Sequence, residues 1–255
     1  MQGGRHMNRK ITAAFFSPTG GTKRAVETLC ACWGGEVNWV QLGTKEPVQI
    51  NLGADELLVL GLPVYAGVIP QVPGLLDGLK GENTPCVLAA AYGNRNYDDA
   101  LAQMKRLMEE RGFLCVGAAA VVTPHIFAPT LGAGRPDEED RAVLADFARQ
   151  VEQKLAAGDW MPAQVPGNPT PKEKRPIPVQ KDRDWDICLG CGFCAQVCPT
   201  GAMDPSSLLW DDQKCISCMA CVSHCPVGAL GYNSSVLASR LTEKFSQRRP
   251  VEIFL

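Results

Sequence analysis

Long apolar runs, a large excess of positive charge and nucleotide-binding fingerprints are all missing from this 255-residue sequence. No apolar stretch reaches the ~20 residues that a membrane-spanning helix needs. A formal net charge of −2 argues against nucleic acid as the natural partner. Neither Gly-x4-Gly-Lys-Ser/Thr nor Gly-x-Gly-x-x-Gly occurs, so a Walker loop and a dinucleotide site are not indicated. No Cys-x-x-Cys-His is present for covalent haem.

Targeting signals are missing as well. The sequence shows no secretory signal with a small-residue cleavage site. Residues 1–7, which end at a second methionine, Met7, resemble a cloning remnant, and we exclude them from the fold. Together with the oxygen-sensitive metal motifs described next, these absences predict a cytoplasmic protein.

Cysteine is abundant, and eight of the twelve cysteines fall in two consecutive runs. The first run is Cys188-x2-Cys191-x2-Cys194-x3-Cys198-Pro199, and the second is Cys215-x2-Cys218-x2-Cys221-x3-Cys225-Pro226. This spacing holds [4Fe–4S] clusters, and the fourth cysteine of each run ligates the cluster of the other run. We therefore assign cluster I to Cys188, Cys191, Cys194 and Cys225, and cluster II to Cys215, Cys218, Cys221 and Cys198.

Zinc and disulfides explain these runs less well. Structural zinc prefers two separated Cys-x2–4-Cys knuckles, and a disulfide framework needs an oxidising compartment. The repeat also continues beyond the cysteines, because residues 198–203 (Cys-Pro-Thr-Gly-Ala-Met) are echoed by residues 225–230 (Cys-Pro-Val-Gly-Ala-Leu). From about Trp185 to Tyr232 the sequence resembles the two-cluster bacterial ferredoxins. This resemblance implies a small α+β domain that holds two [4Fe–4S] clusters.

Residues 8–157 alternate between short apolar runs and amphipathic segments. The apolar, partly β-branched runs predict five strands, at 10–16, 37–41, 57–62, 86–91 and 113–122. Helical spacing follows the first strand and recurs at 98–111 and 137–155, and a short helix is predicted over 73–80. This alternation predicts an α/β domain with a doubly wound five-stranded parallel sheet. Its ligands would bind at the carboxyl ends of the strands.

Three loops after predicted strands carry candidate ligand-binding residues. The loop after the first strand combines hydroxyl groups with two glycines before a helix, which suits an anion. The loops after the third and fourth strands each carry aromatic residues among small ones. All three loops are predicted to meet at one sheet edge. The candidate residues are Ser17, Thr19, Gly20, Gly21, Thr22; Pro63, Val64, Tyr65, Ala66, Gly67; and Tyr92, Gly93, Asn94, Arg95, Tyr97.

These loops resemble those of the flavodoxins. Residues 16–22 resemble the loop that binds the FMN phosphate in that family, and residues 63–67 and 92–97 resemble its two ring-binding loops. The resemblance covers roughly residues 8–157 and implies FMN as a cofactor. Flavodoxins more usually carry Gly-Asn where this chain has Gly20-Gly21. A flavodoxin-like domain without a cofactor is the alternative.

The remaining segments differ in composition. Residues 158–184 are rich in proline, lysine and arginine, which predicts an extended linker. Residues 185–232 form the predicted ferredoxin-like domain. Residues 233–255 carry apolar residues at helical spacing and predict a helical tail that packs on one of the domains and ends near Arg248-Arg249-Pro250.

Several reactive residues have an ordinary alternative role. Buried free cysteines usually act as small apolar residues, and we interpret Cys30, Cys32, Cys86 and Cys115 in this way. His125 follows the fifth predicted strand, and it either reaches the flavin edge or is an unrelated loop histidine. Trp185 and Trp210 are predicted to shield the clusters from water.

Resemblance to both families at once points to flavodoxin–ferredoxin fusion proteins. It implies an electron carrier in which FMN and two [4Fe–4S] clusters exchange electrons with redox partner proteins. The alternative is an iron–sulfur flavoprotein reductase that acts on a small organic acceptor. No catalytic acid–base set supports that alternative. A third hypothesis is a redox-sensing module, and no DNA-binding pattern accompanies it.

Overall fold

The computed structural model describes residues 9–46, 48–172 and 179–255. The predicted cloning remnant and the linker residues Lys174, Arg175, Pro176 and Pro178 lie outside this range. Among the described residues, no helix combines the length and apolar character that crossing a membrane requires.

The first domain is built on a mostly parallel sheet. Its five parallel strands are β1 (Ile11–Phe15), β2 (Val37–Gln41), β4 (Leu57–Pro63), β6 (Thr84–Tyr92) and β7 (Phe113–Val122). They lie in the order β2-β1-β4-β6-β7. This is the 2-1-3-4-5 order of the flavodoxin-like doubly wound fold, whose ligands bind at the carboxyl ends of the strands. The predicted α/β class and the five parallel strands are therefore confirmed.

Helices cover both faces of this sheet. Helices α1 (Gly21–Cys30) and α3 (Glu138–Ala156) pack on one face through residues such as Leu29 and Phe147. Helix α2 (Ala100–Glu109) packs on the other through Leu101 and Met104. Strands β1 and β6 are buried along their whole length. Continuous apolar runs are expected in such strands, because both of their faces are covered.

The predicted short helix over 73–80 is wrong. Turns occupy residues 73–78, and β5 (Leu79–Gly81) follows and pairs in parallel with β3 (Ile50–Leu52). The backbone N–H of Ile50 also donates to the carbonyl oxygen of Gly78, at 2.8 Å. The end of this segment forms a strand because it pairs with β3, which lies almost thirty positions earlier in the sequence. The spacing of residues within the segment does not reveal such a partner.

The C-terminal tail adds a sixth strand to the sheet. Helix α6 (Ser235–Phe245) ends earlier than predicted, and β10 (Glu252–Phe254) pairs with β7 in antiparallel orientation. An unpaired edge strand exposes a row of backbone groups that another segment can satisfy. The tail closes this edge of β7. Three residues are too few to form a recognisable strand pattern in the sequence.

The second domain repeats one small unit. Helix α4 (Phe193–Gln196) follows Cys191 and α5 (Ala220–Ser223) follows Cys218, each with an N-cap residue in the left-handed region. Strands β8 (Gln180–Arg183) and β9 (Leu230–Asn233) pair antiparallel. Strand β8 lies inside the range that we predicted as linker. Its charged sequence lacks the apolar alternation of a strand, and pairing with β9 orders it.

The two domains contact each other directly. The hydroxyl group of Tyr232 donates to the carbonyl oxygen of Ile126 at 2.7 Å, and that of Ser234 donates to the carbonyl oxygen of Phe127 at 2.9 Å. The rings of Phe127 and Tyr232 meet edge to face, with centroids 5.8 Å apart. These contacts fix the start of α6 beside the loop that follows β7.

Candidate functional site

A cavity of about 300 Å³ opens at the carboxyl ends of the parallel strands. Its size is at the lower end of the ~300–1,000 Å³ typical of small-molecule sites. The walls come from the loops after β1, β4, β6 and β7, from the second cysteine run and from α6. The lining residues are Ser17, Pro18, Thr19, Gly21, Thr22, Pro63, Val64, Tyr65, Ala66, Ala91, Gly93, Arg95, Thr123, Pro124, His125, Ile126, Phe127, Ile216, Ser217, Cys218, Leu237 and Leu241.

One end of the cavity is suited to an anion. Helix α1 begins at Gly21, and its N-cap residue, Gly20, makes no side-chain hydrogen bond. Gly20 has φ 86°, a left-handed conformation that glycine adopts without strain. The Ser17 hydroxyl oxygen accepts a hydrogen bond from the backbone N–H of Lys23, in the first turn of α1, at 2.9 Å. The start of a helix beside the hydroxyl groups of Thr19 and Thr22 fits a phosphate group.

The loop after β4 contributes most of its predicted residues. Pro63, Val64, Tyr65 and Ala66 line the cavity, and Gly67 does not. The backbone N–H of Tyr65 donates to the carbonyl oxygen of Val68 at 2.9 Å, which closes a tight turn. Burial, followed by the neighbouring Cys218 thiolate, raises the pKa of Tyr65. Its phenol is therefore a neutral wall of the cavity at physiological pH.

The loop after β6 divides between the cavity and the tail. Gly93 and Arg95 line the cavity, whereas Tyr92, Asn94 and Tyr97 do not. The Asn94 amide donates to the carbonyl oxygens of Phe245 and Gln247, at 2.7 and 2.9 Å. The Tyr97 hydroxyl donates to Glu252 at 2.7 Å. Asn94 and Tyr97 therefore hold the tail, and Tyr92 is buried in the core, so the structure does not bring these three to the cavity as the sequence suggested.

Three parts of the cavity wall were not predicted as binding residues. The loop after β7 adds five residues, 123–127, and the sequence pattern singled out only His125 among them. The position of this loop after a predicted parallel strand is a signal that could have identified the others. Leu237 and Leu241 come from α6, and Ile216, Ser217 and Cys218 come from the second cysteine run. Contacts between segments so distant in the sequence leave no local pattern.

His125 is held as a neutral imidazole. Its Nδ1 accepts the backbone N–H of Phe127 at 3.1 Å, so the ring proton lies on Nε2. The ring packs on Gly93, where an added Cβ would lie 2.5 Å from Cδ2 of the imidazole. Burial, and then the Arg95 charge, lowers the pKa of His125 to about 4. An uncharged ring packed on a residue without a side chain thus forms this wall.

The His125→Gln variant is expected to lose part of the acid sensitivity of folding. An unfolded histidine binds a proton below pH ~6.5, whereas His125 stays neutral in the folded protein down to about pH 4. The free energy of unfolding therefore falls as pH drops through this window. The expected slope averages roughly 1 kcal/mol per pH unit between pH 6.5 and 5, below the full ~1.4, because the unfolded histidine is only about half protonated at the upper end of this range. Denaturation of wild type and variant between pH 6.5 and 5 measures it. His224→Gln, at an exposed position, is the control, and equal slopes in all three proteins would contradict the prediction.

A second cavity lies among four cysteines of the second domain. Cys198, Cys215, Cys218 and Cys221 all line it, so the structure brings the last cysteine of the first run beside the second run. Lys181 and Trp210 also line it. Burial is the largest cause that raises the pKa of Cys218, to about 12, and the nearby Cys221 and Cys198 add to it.

The other predicted ligand set is more exposed. Cys194 is buried, Cys188 and Cys225 are half-buried and Cys191 is exposed. The Arg183 guanidinium donates to Sγ of Cys188 at 3.2 Å and to Sγ of Cys194 at 3.6 Å. The backbone N–H of Gly190 and then Arg183 lower the pKa of Cys188, which favours its thiolate form. The backbone N–H of Ala229 donates to Sγ of Cys225 at 3.2 Å.

Unsatisfied donors show that these sites suit iron–sulfur clusters. Among the described residues, the buried Nε of Arg183 and Nε1 of Trp210 have no hydrogen-bond acceptor. Buried donors normally have a partner, and cluster sulfides would supply acceptors beside both. Within the described ranges, no three His, Cys, Asp or Glu side chains converge as the ligands of one ion do. Thiolates at the corners of an iron–sulfur cubane lie further apart than such ligands.

The strand order and the paired cysteine runs define a class of protein: a flavodoxin-like domain joined to a ferredoxin-like domain. Residues 180–226 match the family model described as a 4Fe-4S dicluster domain. The chain therefore combines a flavodoxin-like α/β fold with a region that matches a domain for two [4Fe–4S] clusters, as the sequence predicted. No curated protein matches the chain significantly.

Solved structures give weaker similarities. A flavodoxin from Streptococcus pneumoniae TIGR4 is 17% identical with a TM-score of 0.38, covering 58% of this chain and 98% of the flavodoxin. A flavodiiron core from Synechocystis sp. PCC6803 is 12% identical with a TM-score of 0.40, covering 60% of this chain and 37% of that one. The fold class follows from the strand order and not from these similarities.

Proposed function

We propose that the protein carries electrons between two [4Fe–4S] clusters, an FMN and redox partner proteins. One observation carries the proposal: Ser217 and Cys218, in the second cysteine run, form part of the wall of the cavity that fits a flavin. Tyr65 stands in the same wall, close enough to Cys218 for the thiolate to raise the pKa of its phenol. The same cysteine would thus ligate cluster II and border the flavin.

The residues around the cavity fit FMN in two parts. Thr19, Gly21 and Thr22, at the N-terminus of α1, would hold the phosphate. Tyr65, Gly93 and the loop after β7 would hold the ring. Leu237 and Leu241 of α6 would exclude water from it. FMN, when bound, accepts one or two electrons, whereas each [4Fe–4S] cluster passes one.

The interlaced ligand sets are part of this proposal. Cluster II would be held by Cys215, Cys218, Cys221 and Cys198, which share one cavity. Cluster I would be held by Cys188, Cys191, Cys194 and Cys225. This set rests on the spacing of the two cysteine runs.

Cluster I would exchange electrons with partner proteins. Its ligand Cys191 is exposed, and Leu189 and Phe193, on either side, are 69% and 39% exposed. Apolar residues around an accessible redox centre suit brief contact with another protein. Electrons would therefore enter or leave at cluster I and exchange with the flavin at cluster II.

Kinetics of flavin reduction test the proposal. The full chain is reconstituted without oxygen and should contain about eight irons, eight sulfides and one FMN. A reduced ferredoxin, too large to enter the cavity, then supplies electrons while FMN absorbance is followed. Cys221→Ala removes a ligand of cluster II that does not line the flavin cavity. This variant should reduce FMN at least about 100-fold more slowly, equivalent to about 2.7 kcal/mol in the barrier.

Controls separate the route through cluster II from direct reduction of the flavin. Cys191→Ala should lose cluster I, keep FMN and still reduce FMN through cluster II when a small chemical reductant replaces the ferredoxin. Equal rates in wild type and Cys221→Ala would overturn the route through cluster II. A reconstituted protein without FMN would overturn the flavin part. Fast turnover of a small organic acceptor in Cys221→Ala would favour the reductase alternative.

A further inference from the structure

Strand β8 carries two cations that the predicted linker would have left in solvent. Lys181 and Arg183 are two residues apart, so their side chains lie on the same face of the strand. The pairing of β8 with β9 fixes this face, with Lys181 opposite Tyr232 and Arg183 opposite Leu230. Each cation faces a different cysteine group.

Arg183 is built into the site of cluster I. Its two Nη atoms donate to Sγ of Cys188 and Cys194, and Nη2 also donates to the carbonyl oxygen of Leu208 at 2.9 Å. The guanidinium carbon lies 5.0 Å from the ring centroid of Trp185 and 5.4 Å from that of Trp210. These contacts hold the cation in one position. Among the described residues, no carboxylate forms a salt bridge with it.

Lys181 occupies the matching position at cluster II. Its side chain is 6% exposed and lines the cavity among Cys198, Cys215, Cys218 and Cys221. Its ammonium group donates to Asp212 at 3.1 Å, and this aspartate is 78% exposed and well solvated. A buried ammonium group paired with Asp212 therefore stands beside the cysteines.

We propose that Lys181 and Arg183 each set the reduction potential of one cluster: Arg183 raises that of cluster I, and Lys181 raises that of cluster II. Reduction adds one electron, and so one negative charge, to a cluster, without a proton. A fixed cation stabilises the reduced form more than the oxidised form, and donors to the sulfur atoms act in the same direction. The proposal depends on the ligand sets given under the proposed function, but not on FMN.

Redox titration of the reconstituted full chain, followed by electron paramagnetic resonance, tests the proposal. Arg183→Gln should lower the potential of cluster I by about 59 mV, a tenfold change in the one-electron equilibrium, and leave cluster II unchanged. Lys181→Gln should lower only the potential of cluster II. The Cys191→Ala protein, which keeps cluster II alone, assigns the two potentials. Lys214→Gln removes an equal charge next to Cys215. Because the Lys214 side chain is 63% exposed, this variant should shift the potential of neither cluster.

A conservative variant keeps the proposal testable if Arg183→Gln loses cluster I. Arg183→Lys keeps the charge, but one ammonium group replaces the fork that reaches Cys188 and Cys194 together. It should lower the potential of cluster I by less than Arg183→Gln does. If the Arg183→Gln protein does not assemble cluster I, Arg183→Lys should still lower this potential measurably relative to the wild type. Unchanged potentials with clusters bound would overturn the proposal, as would equal shifts at both clusters or a matching shift in Lys214→Gln. The potentials are measured on the clusters and do not involve FMN. A failure of the proposed electron transfer to FMN would therefore leave this test unaffected.

Discussion

Cys198→Ala is expected to remove cluster II and to leave cluster I, although Cys198 is the last cysteine of the first run. Cys198 shares a cavity with Cys215, Cys218 and Cys221, all from the second run. The residue nearest to it in the first run, Cys194, instead receives a hydrogen bond from Arg183 beside Cys188. A [4Fe–4S] cluster needs four cysteine ligands, so one substitution eliminates one site.

Iron content and spectroscopy measure this result. Reconstituted Cys198→Ala should hold about four irons, half of the about eight expected for two clusters. Electron transfer from the remaining cluster to FMN should be slow. Ferredoxin-driven reduction of FMN should therefore slow as in Cys221→Ala. Cys225→Ala is the matched control, because it is the equivalent residue of the other run. That variant should lose cluster I and keep rapid exchange between cluster II and FMN. The ligand sets are refuted if Cys198→Ala instead loses cluster I.

Asp140→Asn is expected to destabilise the first domain by about 3 kcal/mol, because it removes the buried counter-charge of Arg135 and leaves only the more exposed Asp137, at 3.6 Å. Asp140 and Arg135 form a buried two-pronged ion pair, with side chains 2% and 4% exposed. Asp140 also accepts the backbone N–H of Asp137 in the capping box of α3, at 2.9 Å. The amide keeps the shape of the side chain but not its charge.

The same change should loosen the tail. Arg135 donates to the carbonyl oxygen of Arg249 at 3.1 Å, and Arg248 lies 3.6 Å from Asp140. These contacts hold the segment between α6 and β10, so their loss should free α6 from the cavity and weaken FMN binding. Limited proteolysis of the tail and FMN titration detect this second effect.

A neighbouring carboxylate provides the control. Glu139 is 74% exposed and pairs with Arg248 at 2.9 Å. Surface ion pairs contribute little, so Glu139→Gln should change the free energy of unfolding by no more than about 1 kcal/mol. Chemical denaturation compares the two variants with the wild type. A cost for Asp140→Asn within about 1 kcal/mol of that for Glu139→Gln would show that the buried pair does not anchor the tail.

The placement of the predicted flavin residues shows where sequence reasoning stops. Thr19 and Tyr65 line the cavity as predicted, because each immediately follows a parallel strand whose direction fixes where it ends. Asn94 also follows such a strand, but its amide turns to the tail, 151 positions away in the sequence. Nothing near Asn94 in the sequence identifies this partner. Side-chain direction in a loop depends on its neighbours in space, and these came from the C-terminus.

The charged segment before the first cysteine run shows the same limit. Its composition predicts a solvated linker, yet Lys181 is almost fully buried and Arg183 contacts two cysteines. A lysine or arginine is rarely buried unless it has a partner. The partners are cysteines whose local spacing is plain in the sequence, but whose position relative to β8 is not.

The sequence by itself determined the cofactor class of the second domain and the α/β class of the first. Both follow from short-range patterns: cysteine spacing within eleven residues and the alternation of apolar runs with helical segments. Only the tertiary structure decided that Cys218 borders the cavity at the carboxyl ends of the strands, that the tail adds a strand to the sheet and that each cysteine group has its own cation. Those contacts join segments far apart in the chain, and hydrophobic packing and hydrogen bonding select them only once the whole chain has folded.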